Sequence, residues 1–129
     1  MKALRILLAE DDAMISFLLA EIIENSGHQI CAIETTEAGV VRGAAHHRPD
    51  MLIVDAHLGS GSGVVAVAAV LRVSFIPYLL ISGGPIKGAQ AGAVILEKPF
   101  FDTDLFAAIE RAVAAHASPA ASLGALELR

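Results

Sequence analysis

The sequence predicts an α/β fold, a doubly wound sheet of five parallel strands with helices on both faces. Three observations carry this prediction. Five short apolar runs alternate with segments of helical spacing, the signature of repeated strand–helix–strand units. Four of the runs stop at or beside a polar residue suited to binding phosphate or metal, as strands do when their carboxyl ends share one edge. Right-handed crossovers leave few arrangements, and the order 2-1-3-4-5 puts its topological switch between the first and third strands. Those two strands end at Glu10-Asp11 and at Asp55.

Taken in order, Leu4 to Ala9 forms the first strand and runs into Glu10-Asp11-Asp12. The first helix follows, with Asp12 placed to cap it and Ile15, Leu18, Leu19, Ile22 and Ile23 repeating every three or four positions. Asn25-Ser26-Gly27 stops it, Gly27 being free to take a left-handed cap. The second strand, around His28 to Ile33, ends without a site-forming residue. A less regular helix fits Thr36 to His47, closed by Arg48-Pro49. Met51 to Val54 runs directly into Asp55, and the glycines of Gly59-Ser60-Gly61-Ser62-Gly63 let the chain turn into a third helix, Gly63 to Arg72. Val64 to Leu71 carries no charge, so this helix is expected to be buried on more than one side or to offer a self-association face, which makes a homodimer a candidate. Tyr78 to Ile81 runs into Ser82. Pro85, Gly88 and Gly92 then make poor helix, so the fourth helix is predicted to be short or absent. Ala93 to Glu97 runs into Lys98-Pro99, and the last helix fits Asp102 to Ala117 with Leu105, Phe106, Ile109 and Val113 inward. One domain is read over 1–117, with a flexible tail over 118–129.

A chain of 129 residues that is 55% hydrophobic can bury a core large enough to offset chain entropy. The formal net charge of −5 and the lack of a basic stripe argue against nucleic-acid binding. No apolar run approaches membrane-spanning length, so no membrane role is expected. The single cysteine, Cys31, lies in an apolar run and reads as a small buried residue of a reducing, cytoplasmic compartment.

Clustered carboxylates repel, and holding several ionised needs a cation. Oxygen-only donors favour a hard ion, Mg2+ or Ca2+. Asp11 and Asp55 suit direct ligation, with Glu10 acting through water. A carboxylate is also a nucleophile toward phosphorus, and Asp55 is the best placed. Phosphoryl transfer needs the charge on the equatorial oxygens neutralised. Lys98 can supply a positive charge and Ser82 a hydroxyl. The glycine-rich loop at 59–63 is no P-loop, because no Lys-Ser/Thr follows it.

From Lys2 to about Ala117 the chain resembles a response-regulator receiver domain, the CheY-like version of the flavodoxin-like fold. The matching residues are Ile6-Leu7-Leu8-Ala9-Glu10-Asp11-Asp12, Pro49-Asp50-Met51-Leu52-Ile53-Val54-Asp55, Ser82-Gly83 and Glu97-Lys98-Pro99-Phe100, with Gly63 eight positions after Asp55. The resemblance implies that Asp55 is the phosphoacceptor. It implies that Asp11, Asp55 and the His57 backbone carbonyl bind Mg2+ (Mn2+ or Ca2+ substituting), with Glu10 through water. Ser82 would swing to the phosphate and Lys98 would bind it. Phosphate would come from a sensor histidine kinase or a histidine phosphotransfer protein. Two departures stand out. The switch position, commonly aromatic, is Ile95, and the stretch from Ser82 to Lys98 is short. Pro77 to Gly84 is similar to the FATGUY-type single-domain subgroup of alphaproteobacterial receivers, often paired with HWE-type kinases.

The expected function is therefore a single-domain phosphorylation switch in two-component signalling. It is not an enzyme, although it assists its own phosphorylation and dephosphorylation. Its output is protein binding, to an unidentified target, or phosphate relay. The alternatives are a magnesium-dependent hydrolase with an aspartate nucleophile and a phosphate-independent pseudo-receiver. The His57 side chain reads as a solvent-facing loop histidine, and 83–93 as the segment cheapest to remodel.

Overall fold

The computed structural model describes residues 2–127, with side chains through residue 116. Its elements are β1 (Arg5–Ala9), α1 (Ala13–Asn25), β2 (Gln29–Glu34), α2 (Glu37–His47), β3 (Met51–Asp55), β4 (His57–Leu58), β5 (Gly61–Ser62), α3 (Gly63–Leu71), β6 (Tyr78–Ser82), β7 (Val94–Glu97) and α4 (Asp102–Glu127). Five strands pair in the order β2-β1-β3-β6-β7, every pair parallel. The two-residue strands β4 and β5 form a separate antiparallel ribbon. With that ribbon set aside, the sheet has the predicted order.

The central strands are apolar on both faces because both are covered. Ile6 and Leu8, Met51 and Ile53, and Leu79 and Ile81 point into a cluster closed by Leu19 and Ile23 of α1 and Leu105 and Ile109 of α4. Leu7, Leu52, Val54 and Leu80 point the other way, onto Val40 of α2 and Ala66, Val67 and Val70 of α3. Burying one such side chain fully contributes about 1.5–3 kcal/mol. This is why continuous Val/Ile/Leu runs specify a two-faced parallel sheet.

Asp12 caps α1, its carboxylate accepting from the Ile15 N–H at 3.0 Å, and Gly27 follows the helix at φ 101°. The helix turns further than its periodicity suggested. Ser16, Leu19 and Ile23 face the sheet, whereas Leu18 is 50% exposed beside Met14 and Phe17. Residues 16, 19 and 23 form the row that meets the strands, and Ile15 and Ile22 flank it. Thr36 caps α2 by accepting from the Gly39 N–H at 2.9 Å, and Arg48 ends it in the left-handed region at φ 48°. The Arg5 guanidinium donates to the carbonyls of His47 and Arg48, satisfying acceptors that a helix end leaves open. The charge-free α3 packs on both the sheet and α2, leaving Val65 exposed.

No helix connects β6 to β7, in line with the glycines and proline there; Ile86 and Ala89 instead fold back onto the second cluster. Helix α4 extends past the predicted end at Ala117, and the flexibility expected of 118–129 falls outside the residues whose side chains are described. Cys31 is half-buried, not buried: β2 is an edge strand, and Cys31 sits at a register irregularity between the pairs Ile6–Ile30 and Leu7–Ala32. Among the described residues, no helix is long and apolar enough to cross a membrane.

Candidate functional site

The carboxyl ends of β1, β3 and β6 and the residue after β7 deliver Glu10, Asp11, Asp55, Ser82 and Lys98 to one edge of the sheet. A cavity of about 630 Å³ opens there, lined by Glu10, Asp11, Asp55, His57, Gly59 and Lys98, among others. Asp55 is 6% exposed and Glu10 2%. The register fixes this convergence: Ala9 pairs with Val54, Asp55 with Ile81, and Ser82 with Glu97. The chain after β3 is pinned as well, since the Ala56 N–H donates to the Ile81 carbonyl and the Gly63 N–H to the Ala56 carbonyl, both at 2.8 Å.

The Lys98 ammonium donates to Asp55 Oδ2 at 2.7 Å and lies 3.8 Å from Glu10 Oε1. The other Asp55 oxygen accepts from the His57 N–H at 2.8 Å. Burial works against a charge on Asp55, but the Lys98 hydrogen bond and the His57 N–H outweigh it and hold its carboxyl below the ordinary value. Lys98 also loses solvent, yet its contact with Asp55 keeps it protonated and raises its pKa. Glu10 takes the opposite course. Burial pushes it from 4.5 up to about 7, against the hydrogen bond it accepts from the Asp12 N–H, and Asp55 adds to the rise. The site therefore holds an ionised nucleophile candidate beside an acid that keeps its proton until near neutrality.

Two of the predicted residues at this edge also make contacts of their own. Asp11 Oδ2 accepts from the Gly59 N–H at 2.9 Å, a contact with the β4–β5 ribbon that sequence reading missed. Ser82 is buried beneath the cavity, its hydroxyl donating to the Gly84 carbonyl and accepting from the Gly84 N–H at 3.0 Å. The His57 side chain is exposed, as expected, and Ile95 is 38% exposed on the edge strand β7.

Among the described residues, no group of three or more His, Cys, Asp and Glu side chains could by itself hold a metal. The oxygens present nevertheless suit magnesium, which takes one or two carboxylates and completes its shell with water and phosphate. Glu10 Oε1 is buried without a hydrogen-bond partner, an acceptor waiting for a water or an ion. A second cavity, about 310 Å³, lies at the amino ends of β6 and β7 among Phe75, Tyr78, Val94 and His116, away from the acids.

No protein-family model matches the chain. Among curated proteins it is similar to the transcriptional regulatory protein PdtaR of Mycobacterium tuberculosis, 31% identical over 115 residues, covering 84% of this chain and 56% of that protein. It is also similar to the KDP operon transcriptional regulatory protein KdpE of Escherichia coli, 29% identical over 122 residues, covering 90% of this chain and 54% of that protein. The chain thus spans about half the length of these relatives. Among solved structures it superimposes on the response regulator PhyR from Brucella abortus with a TM-score of 0.80 at 25% identity, over 99% of this chain and 54% of that one. The receiver (REC) domain of the PhyR response regulator from Erythrobacter litoralis shares the fold, with a TM-score of 0.79 at 24% identity over 88% of this chain and 92% of that domain.

Proposed function

From the premise that the chain is a CheY-like receiver domain of the response regulators of two-component signalling, we propose that it is a cytoplasmic switch set by phosphorylation of Asp55. The observation that carries this reading is the state of Asp55. It is buried, ionised and paired with Lys98 at 2.7 Å at the wall of an open cavity lined with oxygens. An Asp55 oxygen attacks the phosphorus of a phosphohistidine, the P–N bond breaks, and the imidazole leaves. Lys98 then moves its hydrogen bond from the carboxylate to a phosphoryl oxygen. Mg2+ (or Mn2+ or Ca2+), held by Asp11, Asp55 and the His57 carbonyl with Glu10 through water, would supply the remaining charge neutralisation that the transfer requires. Ser82 exchanges Gly84 for a phosphoryl oxygen, which frees the turn at the start of 83–93. That segment, with Ile95 in place of an aromatic switch, is the two-state element the phosphate biases.

The donor is a sensor histidine kinase or a histidine phosphotransfer protein. Support comes from an apolar rim on the site: Met14, Phe17 and Leu18 stand exposed on α1, whose Ile15 lines the cavity, and Phe101 is 80% exposed just after Lys98-Pro99-Phe100. Such a rim suits a helical protein partner, not nucleic acid or membrane. The phosphorylated chain binds an as yet unidentified protein or passes its phosphate on, as a monomer or through a homodimer at α3. A hydrolase of this type commonly places an acid two residues after its nucleophile. Here His57 occupies that place with its side chain exposed and only its N–H on Asp55, which supports a switch over an enzyme. Acetyl phosphate with Mg2+ tests the reading: a stoichiometric phosphoryl adduct by intact mass, acid-stable and lost at alkaline pH, is expected. No adduct, or steady turnover of a generic phosphate ester, would refute it.

A further inference from the structure

The loop Gly59-Ser60-Gly61-Ser62-Gly63 is no P-loop, yet each of its glycines answers a separate constraint. Gly59 adopts φ 61°, a left-handed conformation that aims its N–H at Asp11 Oδ2. Gly63 lies so close to the Asp55 carbonyl oxygen that no side chain fits. Gly61 lies under Glu37 of α2: a Cβ on it would stand 2.8 Å from Glu37 Oε2 and 3.0 Å from its Cγ. That same Glu37 oxygen accepts from the Ser62 N–H at 2.6 Å, and the Ser62 hydroxyl in turn caps α3 by accepting from the Val65 N–H. The ribbon is thus gripped at both ends, by Asp11 and Asp55 on the acid side and by Glu37 on the far side.

We infer that Glu37 is a positioning residue for the metal site, acting through the β4–β5 ribbon. Its half-buried carboxylate holds the Ser62 amide and the bare Gly61 backbone. The ribbon so held keeps the Gly59 N–H on one oxygen of Asp11, leaving the carboxylate oriented for an ion, as outer-shell hydrogen bonds do for metal ligands. It also fixes the segment that carries the His57 carbonyl. This inference rests on the reading of Asp11 and Asp55 as magnesium ligands and adds a residue from another helix that sets their affinity.

The test is a magnesium titration of the full chain by calorimetry, with amide exchange of Gly59 and Ser62 followed by NMR in the metal-free protein. Glu37→Ala is expected to weaken Mg2+ binding about tenfold, the low end of what loss of an outer-shell partner does, and to speed exchange at both amides. Glu37→Gln keeps an acceptor for the Ser62 N–H and retains most of the affinity. Gly61→Ala, whose methyl displaces the Glu37 carboxylate, lowers affinity in the same direction. If Glu37→Ala does not fold, Glu37→Asp, too short to reach the ribbon, takes its place with the same expectation. A role confined to stabilising the start of α2 would lower the melting temperature and leave both readouts unchanged. That result, wild-type Mg2+ affinity and wild-type Gly59 exchange in Glu37→Ala, overturns the inference alone. Absence of Mg2+ binding in the wild type overturns the metal-site reading with it.

Discussion

Glu10→Gln is expected to make the metal-free protein more stable while it weakens metal binding. Glu10 titrates at about 7 in the fold against 4.5 unconstrained, because burial penalises its charge. The sign follows from proton counting. Between these two values the folded chain holds a proton that the unfolded chain has released, so stability falls as pH rises from 4.5 to 7 and stays reduced above. The gap multiplied by about 1.36 kcal/mol per pH unit gives a penalty of about 3 kcal/mol at pH 8. Glutamine cannot ionise, retains an oxygen to accept from the Asp12 N–H, and removes that penalty. Urea unfolding in EDTA at a series of pH values measures it. The wild type should lose stability from pH 5 to 8 and the variant should not, crossing above the wild type near neutrality. Saturating Mg2+ should then restore the wild type more than the variant, since a ligand held 100-fold above its dissociation constant adds about 2.7 kcal/mol. A variant no more stable than the wild type at pH 8 without metal would refute the reasoning.

Gly63→Ala should be among the most damaging single changes. Its methyl would meet the Asp55 carbonyl oxygen and come within 2.7 Å of Val54 Cγ1, an overpacking cost of about 3 kcal/mol that a shifted urea midpoint would report; an unshifted midpoint would mean the ribbon is not pinned there. His28 accepts from the Leu4 N–H through Nδ1 at 3.0 Å, and burial lowers its pKa from 6.5. The folded chain keeps it neutral, so its contribution is complete above 6.5 and is lost as pH falls from there toward the lowered folded value. In a Glu10→Gln background, which removes the opposing limb, His28→Asn should flatten this acid dependence; an unchanged acid limb would place its origin elsewhere.

The strands were legible because their burial on both faces demands uninterrupted apolar runs, and the strand-end acids, serine and lysine stood out because each breaks such a run. Helix starts were legible where side chains do the capping, as at Asp12 and Thr36. The missing helix before β7 was visible in Pro85, Gly88 and Gly92. Less could be read where the outcome depends on packing direction. Ile15, Leu18 and Ile22 fit one helical face equally well on paper, and only the strands they meet decide that Leu18 turns outward. The ribbon at 57–62 was hidden for a different reason. Its order comes from backbone amides on the carboxylates of Asp11 and Glu37, and a run of glycine and serine shows only that the chain can turn, not what holds it. The clue was the spacing of the glycines: Gly59 takes a left-handed φ, and Gly61 and Gly63 are bare where another group presses close. Ser82 was found by position, but its tie to Gly84 depends on a local turn that no pattern announces.

The most direct measurement is intact mass after incubation with acetyl phosphate and Mg2+, for the wild type and for Asp55→Asn. One phosphoryl group gained by the wild type, none by the variant, and none by the wild type in EDTA is the predicted outcome. An adduct that survives Asp55→Asn, or a wild type that stays unmodified with metal present, would contradict the assignment of this pocket as a phosphoacceptor site.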